Sequence, residues 1–272
     1  MTSRIVKAGQ KLYLFFFIVT LVSLLVPCGF VSATGFMGIP TAYIMNNGIF
    51  DAGANAIIQD GKRQELVARM DFGLLNFAEF GAMGIKKDGK DYLMCNAKVL
   101  MARESGALPG FVVGVDNIGE KIELQDYALS FYAVISKQFN LPFIHLIGGH
   151  LGVGNKRYIN DESIGKYLHG AFIGLSKELV LTSRNIHLLL MSEVKGKNVN
   201  AGLRYTMNSG LIVNLAVESL NSGIKDVTYH VGISFTNALM MKDIAQSIEL
   251  AKQAVKIANE VRSETGIREA KP

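Results

Sequence analysis

The chain has 272 residues, 49% of them hydrophobic, with 28 Gly, 5 Pro and no Trp, which excludes a disordered chain and leaves an ordinary core or a membrane structure. Its formal charge of +5 includes Arg4, Lys7 and Lys11 in a first segment without acids; residues 34–272 carry 25 basic against 23 acidic residues. So balanced a body lacks the concentrated basic surface of a nucleic-acid binder, and nucleic acid is not an expected partner. Residues 1–33 read as an export signal. Their basic start is followed by the apolar run from Leu12 to Val26, then Pro27, and Val31-Ser32-Ala33 provides small residues for cleavage. An uncleaved anchor is the rival reading, since about 20 residues of low polarity can span a bilayer. The shortness of the run and its interruption at Pro27 and Gly29 favour cleavage. Cys28 then leaves with the signal. Cys95 is left as a small residue on a strand, with no disulfide or zinc pattern around it.

From about Gly48 to Asn237 the pattern has period two. Twelve strands are expected, at 48–59, 64–74, 77–87, 91–103, 108–117, 127–139, 143–154, 168–178, 186–195, 198–207, 211–220 and 226–237. Leu66, Ala68, Met70 and Phe72 oppose Glu65, Arg69 and Asp71. Val199, Ala201, Leu203, Tyr205 and Met207 oppose Asn198, Asn200, Gly202, Arg204 and Thr206. Residues 227–236 repeat the alternation. Such strands present one apolar and one polar surface. Their length suits a tilted transmembrane strand of about 9–11 residues better than a globular strand of about 5–6. Long hairpins with one polar face require closure, because an open edge in lipid leaves backbone groups unpaired.

Asp60-Gly-Lys, Lys87-Asp-Gly-Lys90, Asn208-Ser-Gly210 and Asn221-Ser-Gly223 are tight-turn sequences. The connections near 118–126 and 155–167 are longer, and both are odd-numbered turns. With a periplasmic N-terminus they face outward, where outer-membrane barrels carry their long loops. After Asn237 the period changes: Ile244, Ile248, Ala251, Val255, Ala258 and Val261 fall three or four apart. That predicts an amphipathic helix over 239–265, stopped near Gly266 and placed in the periplasm by even strand parity. It either covers the lower rim of the barrel or docks a partner.

Gly35-Phe-Met-Gly-Ile-Pro-Thr-Ala42, followed by Gly48 and Gly53, resembles the opening of the YjbH-like family of outer-membrane proteins. Leu108-Pro-Gly-Phe-Val-Val-Gly-Val-Asp116 resembles a strand of the same family. The resemblance implies an outer-membrane barrel linked to exopolysaccharide export, with polysaccharide or envelope-export proteins as partners. The C-terminal helix departs from the usual barrel ending on an aromatic residue, since 37 residues follow Phe235.

The search for chemistry gives little. Gly148-Gly-His-Leu-Gly-Val-Gly154 lacks the Gly-Lys-Ser/Thr ending of a phosphate loop, and glycines on a strand more simply thin a barrel wall. The histidines at 145, 150, 169, 187 and 230 show no metal-ligand spacing. His230 and Ser234 share a face but lie roughly 13 Å apart along one strand, beyond nucleophile–base contact. No catalytic, cofactor or metal site is expected. The candidate lumen-lining residues are Glu65, Arg69, Asp71, Lys98, Arg204, Glu218 and His230. Their mixed signs suggest an ion-pair network filling a narrow lumen; a lining that grips a sugar polymer or ion is the functional alternative. Tyr127, Tyr205 and Tyr229 are expected on the apolar face as interfacial girdle residues.

The expected fold is all-β: one antiparallel up-and-down transmembrane β-barrel of about twelve strands in contact with outer-membrane lipid, plus a C-terminal amphipathic helix. The domains are a signal peptide over 1–33, a barrel over 34–238 and a periplasmic helix and tail over 239–272. The expected role is structural or in transport, in the export of exopolysaccharide or in envelope assembly. The alternatives are a soluble periplasmic lipid-binding or β-sandwich protein and an outer-membrane lipid-modifying hydrolase.

Overall fold

The structure, a computed structural model, describes residues 38–59, 62–119, 127–141, 145–159, 170–181, 186–221 and 227–264. The expected export signal lies outside them. Twelve strands follow in chain order: β1 (Phe50–Gln59), β2 (Lys62–Leu74), β3 (Ala78–Lys87), β4 (Lys90–Ala102), β5 (Gly110–Gly119) and β6 (Ser130–Leu141). They continue as β7 (His145–Gly154), β8 (Ala171–Leu181), β9 (Ile186–Lys195), β10 (Asn198–Thr206), β11 (Leu211–Glu218) and β12 (Thr228–Thr236). Each pairs antiparallel with its chain neighbours, and β1 pairs with β12, so the sheet is a closed barrel. The expected closed, antiparallel, up-and-down barrel of twelve strands is the observed fold. Helix α1 (Ala238–Glu264) follows β12 directly.

The alternation read from the sequence sets which side chains face out. Phe72, Phe80, Leu93, Phe131, Leu151, Leu175 and Ile233 are each between 41 and 61% exposed on the outer surface. Cys95 is exposed among them. A closed sheet leaves no unpaired edge, so an apolar exterior of this kind satisfies every backbone group within its own ladder. Three lysines also stand in outward register. Lys86 pairs with Asp91 at 3.8 Å across the β3–β4 turn. Lys137 folds over the β4–β5 connection and donates to the carbonyls of Ser105 and Gly106 at 2.6 and 2.9 Å. Lys177 shares the register of Leu175 and Leu179, so this face of β8 carries one charge.

The two rims differ. One carries α1, the connections 75–77, 103–109 and 207–210, and the strand ends Leu141, His145, Leu181 and Ile186; we call it the helix rim. The other, the loop rim, holds the strand ends Gly119, Ser130, Gly154 and Ala171, which bound the two longest stretches of sequence between strands. It also carries the β3–β4 turn, where Asp88 and Gly89 have φ of 50° and 75°. Those left-handed values match the twist of a two-residue hairpin and explain the Asp-Gly pair.

The interior is neither wholly polar nor empty. Inward Val112, Val134, Phe172, Leu189 and Met191 are buried with Tyr132, Tyr158, Ile39 and Ala42 in one apolar cluster. This accounts for β9 reading as a nearly continuous apolar run: its outward residues face the exterior, while Leu189 and Met191 face this cluster. Gly148–Gly154 belongs to β7. A Cβ at Gly152 would stand 2.2 Å from the Phe172 ring, so this glycine makes room for an inward aromatic side chain.

Candidate functional site: an occupied barrel lumen

Residues 38–45 run inside the barrel, and 46–49 carry the chain out into β1. They pass down its axis from beside Glu193, near the loop rim, to the helix rim, where β1 begins. The described part of the Gly35–Ala42 motif therefore lies in the lumen. None of residues 38–45 joins a strand ladder; side chains from the barrel wall take up their backbone groups instead. The Gly38 N–H donates to both Glu193 carboxylate oxygens at 3.0 and 3.2 Å. The Ala42 N–H donates to Ser136 Oγ at 2.8 Å, and the Met45 N–H to Glu79 Oε2 at 2.9 Å. The Tyr43 carbonyl accepts from Lys98 Nζ at 2.8 Å, and the Gly38 carbonyl from Arg157 at 3.4 Å. Buried peptide groups need partners, and here the wall provides them.

These gripping side chains come in pairs set by strand register. Glu79 and Lys98 face each other across β3 and β4 and form an ion pair at 3.0 Å. Ser136 faces His150 across β6 and β7, with Oγ 2.7 Å from Nδ1. Glu193 faces Asn200 across β9 and β10, with Asn200 Nδ2 donating at 2.8 Å. The fourth pair uses a loop. The turn Lys156–Tyr158 folds back inward, where Arg157 meets Asp116 at 3.1 Å and the Tyr158 hydroxyl donates to Asp116 at 2.6 Å. Tyr158 is 1% exposed, its ring 5.0 Å from that of Phe172. Burial holds the Tyr158 phenol well above its ordinary range, so it stays a donor. Burial does the same to Tyr43, seconded by the charge of Glu104, to which its hydroxyl donates at 3.0 Å.

The structure places all seven sequence candidates on the inward register but does not gather them into one site. Glu65 meets Lys87 and the Tyr127 hydroxyl near the loop rim. Arg69 lies 3.7 Å from Asp71. Lys98 holds Tyr43 and Glu79. Arg204 Nε donates to Asn214 at 2.8 Å. His230 Nε2 lies 3.4 Å from Glu218. Tyr127 corrects one expectation: it points into the lumen and not to a girdle, because its hydroxyl serves Glu65 and its ring packs near Val67, Ile85 and Met94. Tyr229 is exposed on the outer face.

Sequence reasoning missed Glu79, Asp116, Ser136, His150, Arg157, Glu193 and Asn200. Inward parity was available for all but Arg157, which lies in a connection, and nothing in the alternation reveals that a segment from outside the strands lies against them. Ser136 and His150 form the hydroxyl–imidazole contact that the search sought in His230 and Ser234. It is not exposed for catalysis. Ser136 and His150 are 1% and 2% exposed, and His150 Nε2 lies 3.2 Å from Ser176 Oγ, where an orienting carboxylate would be needed. Among the described residues no cluster of His, Cys, Asp or Glu could hold a metal ion.

Two cavities flank the segment. One of about 570 Å³ opens at the helix rim between Ile44, Ile49, Leu189, Ile212 and the first turns of α1, with Asp51, Glu178, Arg204 and Lys242 on its wall. The other, about 180 Å³, lies along the segment beside Arg69, Asp71, Asn96 and Lys98.

No family model and no curated protein matches the chain. Solved structures do. A KdgM porin is similar over 68% of this chain and 98% of its own, at 9% identity and a TM-score of 0.45. The β domain of the Bordetella autotransporter BrkA is similar over 69% and 97%, at 10% identity and 0.32. OpdK of Pseudomonas aeruginosa is similar over 70% and 66%, at 9% identity and 0.28. The barrel is established by its own strand pairing, independently of these likenesses.

Proposed function

We propose that this protein is a barrel of the bacterial outer membrane whose lumen is closed by its own N-terminal segment, with a structural or transport role in the cell envelope. The observation that carries the reading is the predominantly apolar exterior of a closed sheet, while ion pairs and a buried peptide occupy the interior. In water that exterior would be an apolar patch far larger than the few hundred Å² of a soluble monomer; in hydrocarbon it is the stable surface. The lengths of the connections orient the chain, with the loop rim outside and α1 in the periplasm. A part in the export of exopolysaccharide, in the manner of the YjbH-like proteins, rests on the Gly35–Ala42 and Leu108–Asp116 motifs, and no enzymatic step is assigned. Polysaccharide or envelope-export proteins are the partners this reading requires.

The test is fractionation of exporting cells, followed by gel mobility with and without boiling. Recovery in outer membranes, with detergent needed for extraction and a mobility that changes on heating, is the expected result. Release in the soluble periplasmic fraction overturns the membrane reading. For the envelope role, loss of the chain should alter secreted polysaccharide; unchanged polysaccharide leaves the structural role alone.

A further inference from the structure

We infer that the barrel lumen is a binding site for an extended peptide, which residues 38–45 fill in cis and can leave, opening a path through the barrel. This goes beyond the closed barrel proposed above and rests on its lumen, not on its membrane location.

The manner of attachment carries the inference. Residues 48 and 49 are built into the sheet by ladder-type bonds, Gly48 N–H to the Gly73 carbonyl at 3.2 Å and Gly73 N–H to the Ile49 carbonyl at 2.9 Å. Residues 38–45 share no such bonds. Five of their backbone groups are held by side chains of Glu79, Lys98, Ser136, Arg157 and Glu193. That is recognition of an extended main chain, with sequence read where Ile39, Thr41, Ala42 and Met45, each 4% exposed or less, are buried and where the Tyr43 hydroxyl meets Glu104.

Each gripping group also has a partner within the wall. Glu79 has Lys98, Ser136 has His150, Glu193 has Asn200 and Arg157 has Asp116. When the segment leaves, each gripping side chain keeps a partner, an opposite charge for Glu79, Lys98 and Arg157 and the Asn200 amide for Glu193, which lowers the cost of an emptied barrel. The two cavities beside the segment already supply part of the vacated space. Occupied and emptied barrels are thus two discrete states of one wall, which is the requirement for a switch.

Two measurements test this. In the first, an Ala42→Cys variant of the full chain, with Cys28 and Cys95 replaced by Ser, is exposed to a bulky water-soluble maleimide. The gel-mobility shift meanwhile confirms that the barrel stays folded. Slow labelling that rises at least tenfold when Glu79→Gln and Ser136→Ala are added is expected. No labelling before the barrel itself unfolds overturns the inference. In the second, a chain lacking residues 34–45 is titrated in detergent with a fluorescent peptide of the sequence of residues 35–47. Saturable binding, at least tenfold weaker to the intact chain and absent for a scrambled peptide, is expected. In planar bilayers the shortened chain should conduct at least tenfold more than the intact one, and the peptide should reverse this. A folded shortened chain that ignores the peptide, or conducts no more than the intact chain, overturns the inference. Peptide anisotropy and maleimide labelling need no membrane, so a soluble barrel would overturn the reading of the previous section and leave these outcomes readable.

Discussion

The hydroxyl of Ser136 accepts from the Ala42 N–H and meets His150 Nδ1, while the opposite nitrogen of that ring reaches Ser176. The consistent assignment has Ser136 donating to Nδ1 and His150 carrying its proton on Nε2. Ser136→Ala leaves one amide and one ring nitrogen buried without a partner, a loss of about 1–3 kcal/mol. It should lower the temperature at which gel mobility changes, and Ser136→Thr should restore part of the loss. Glycines separate in the same way. At Gly152 any side chain meets Phe172, whereas a Cβ at Gly84 would have nothing within 4 Å. Gly152→Val should therefore lower the melting temperature clearly, and Gly84→Val should leave it nearly unchanged. Register alone separates the outward Gly84 from the inward Gly152, but that the Phe172 ring fills the space over Gly152 was not legible beforehand.

Among the elements, strands were the most legible and the interior segment the least. Each observed strand starts and ends within about three residues of its expected position, because alternation and turn residues act locally. The segment 38–45 has no period of its own, and what places it is a set of contacts with strands 34 to 155 positions further along the chain, down to Glu193. Local patterns carry no such information. Helix α1 was legible as an amphipathic helix, and the structure divides it into two parts. Leu239, Met241, Lys242 and Ala245 line the helix-rim cavity, while Ile248, Leu250, Val255 and Ile257 are all more than half exposed. Beyond Gln246 the helix contributes little to the barrel, since an exposed face buries no apolar area. A chain ending at Gln246 should keep the heat-dependent mobility of the intact chain. A substitution of Leu239 by Asp should instead lower its transition temperature.

At the scale of the whole molecule, the arrangement of rims fixes an orientation that can be read from cells. Asn221 lies in a connection of the loop rim and Lys252 on the exposed stretch of α1. An Asn221→Cys variant should react with an impermeant maleimide on intact cells, and a Lys252→Cys variant only after the outer membrane is opened. The reverse pattern would invert the barrel. Closure and approximate strand number were legible because hairpins with one apolar face leave few other stable arrangements. The state of the lumen was legible only in part, since mixed inward charges pointed to an ion-pair network and carried no sign of a peptide lying among them.

At the helix rim the two ends of the sheet meet at one side chain. Asn237 accepts from the Phe50 N–H at 2.8 Å and donates to the Gly48 carbonyl at 2.9 Å, and Thr236 Oγ1 donates to the Phe50 carbonyl at 2.7 Å. The stretch inside the cylinder precedes the first strand, and the cylinder is sealed between its first strand and its last. Biogenesis can therefore wrap the curling sheet around a guest already tied at one end, and zip the seam last. No threading is required for the stretch to be in place when the seam closes.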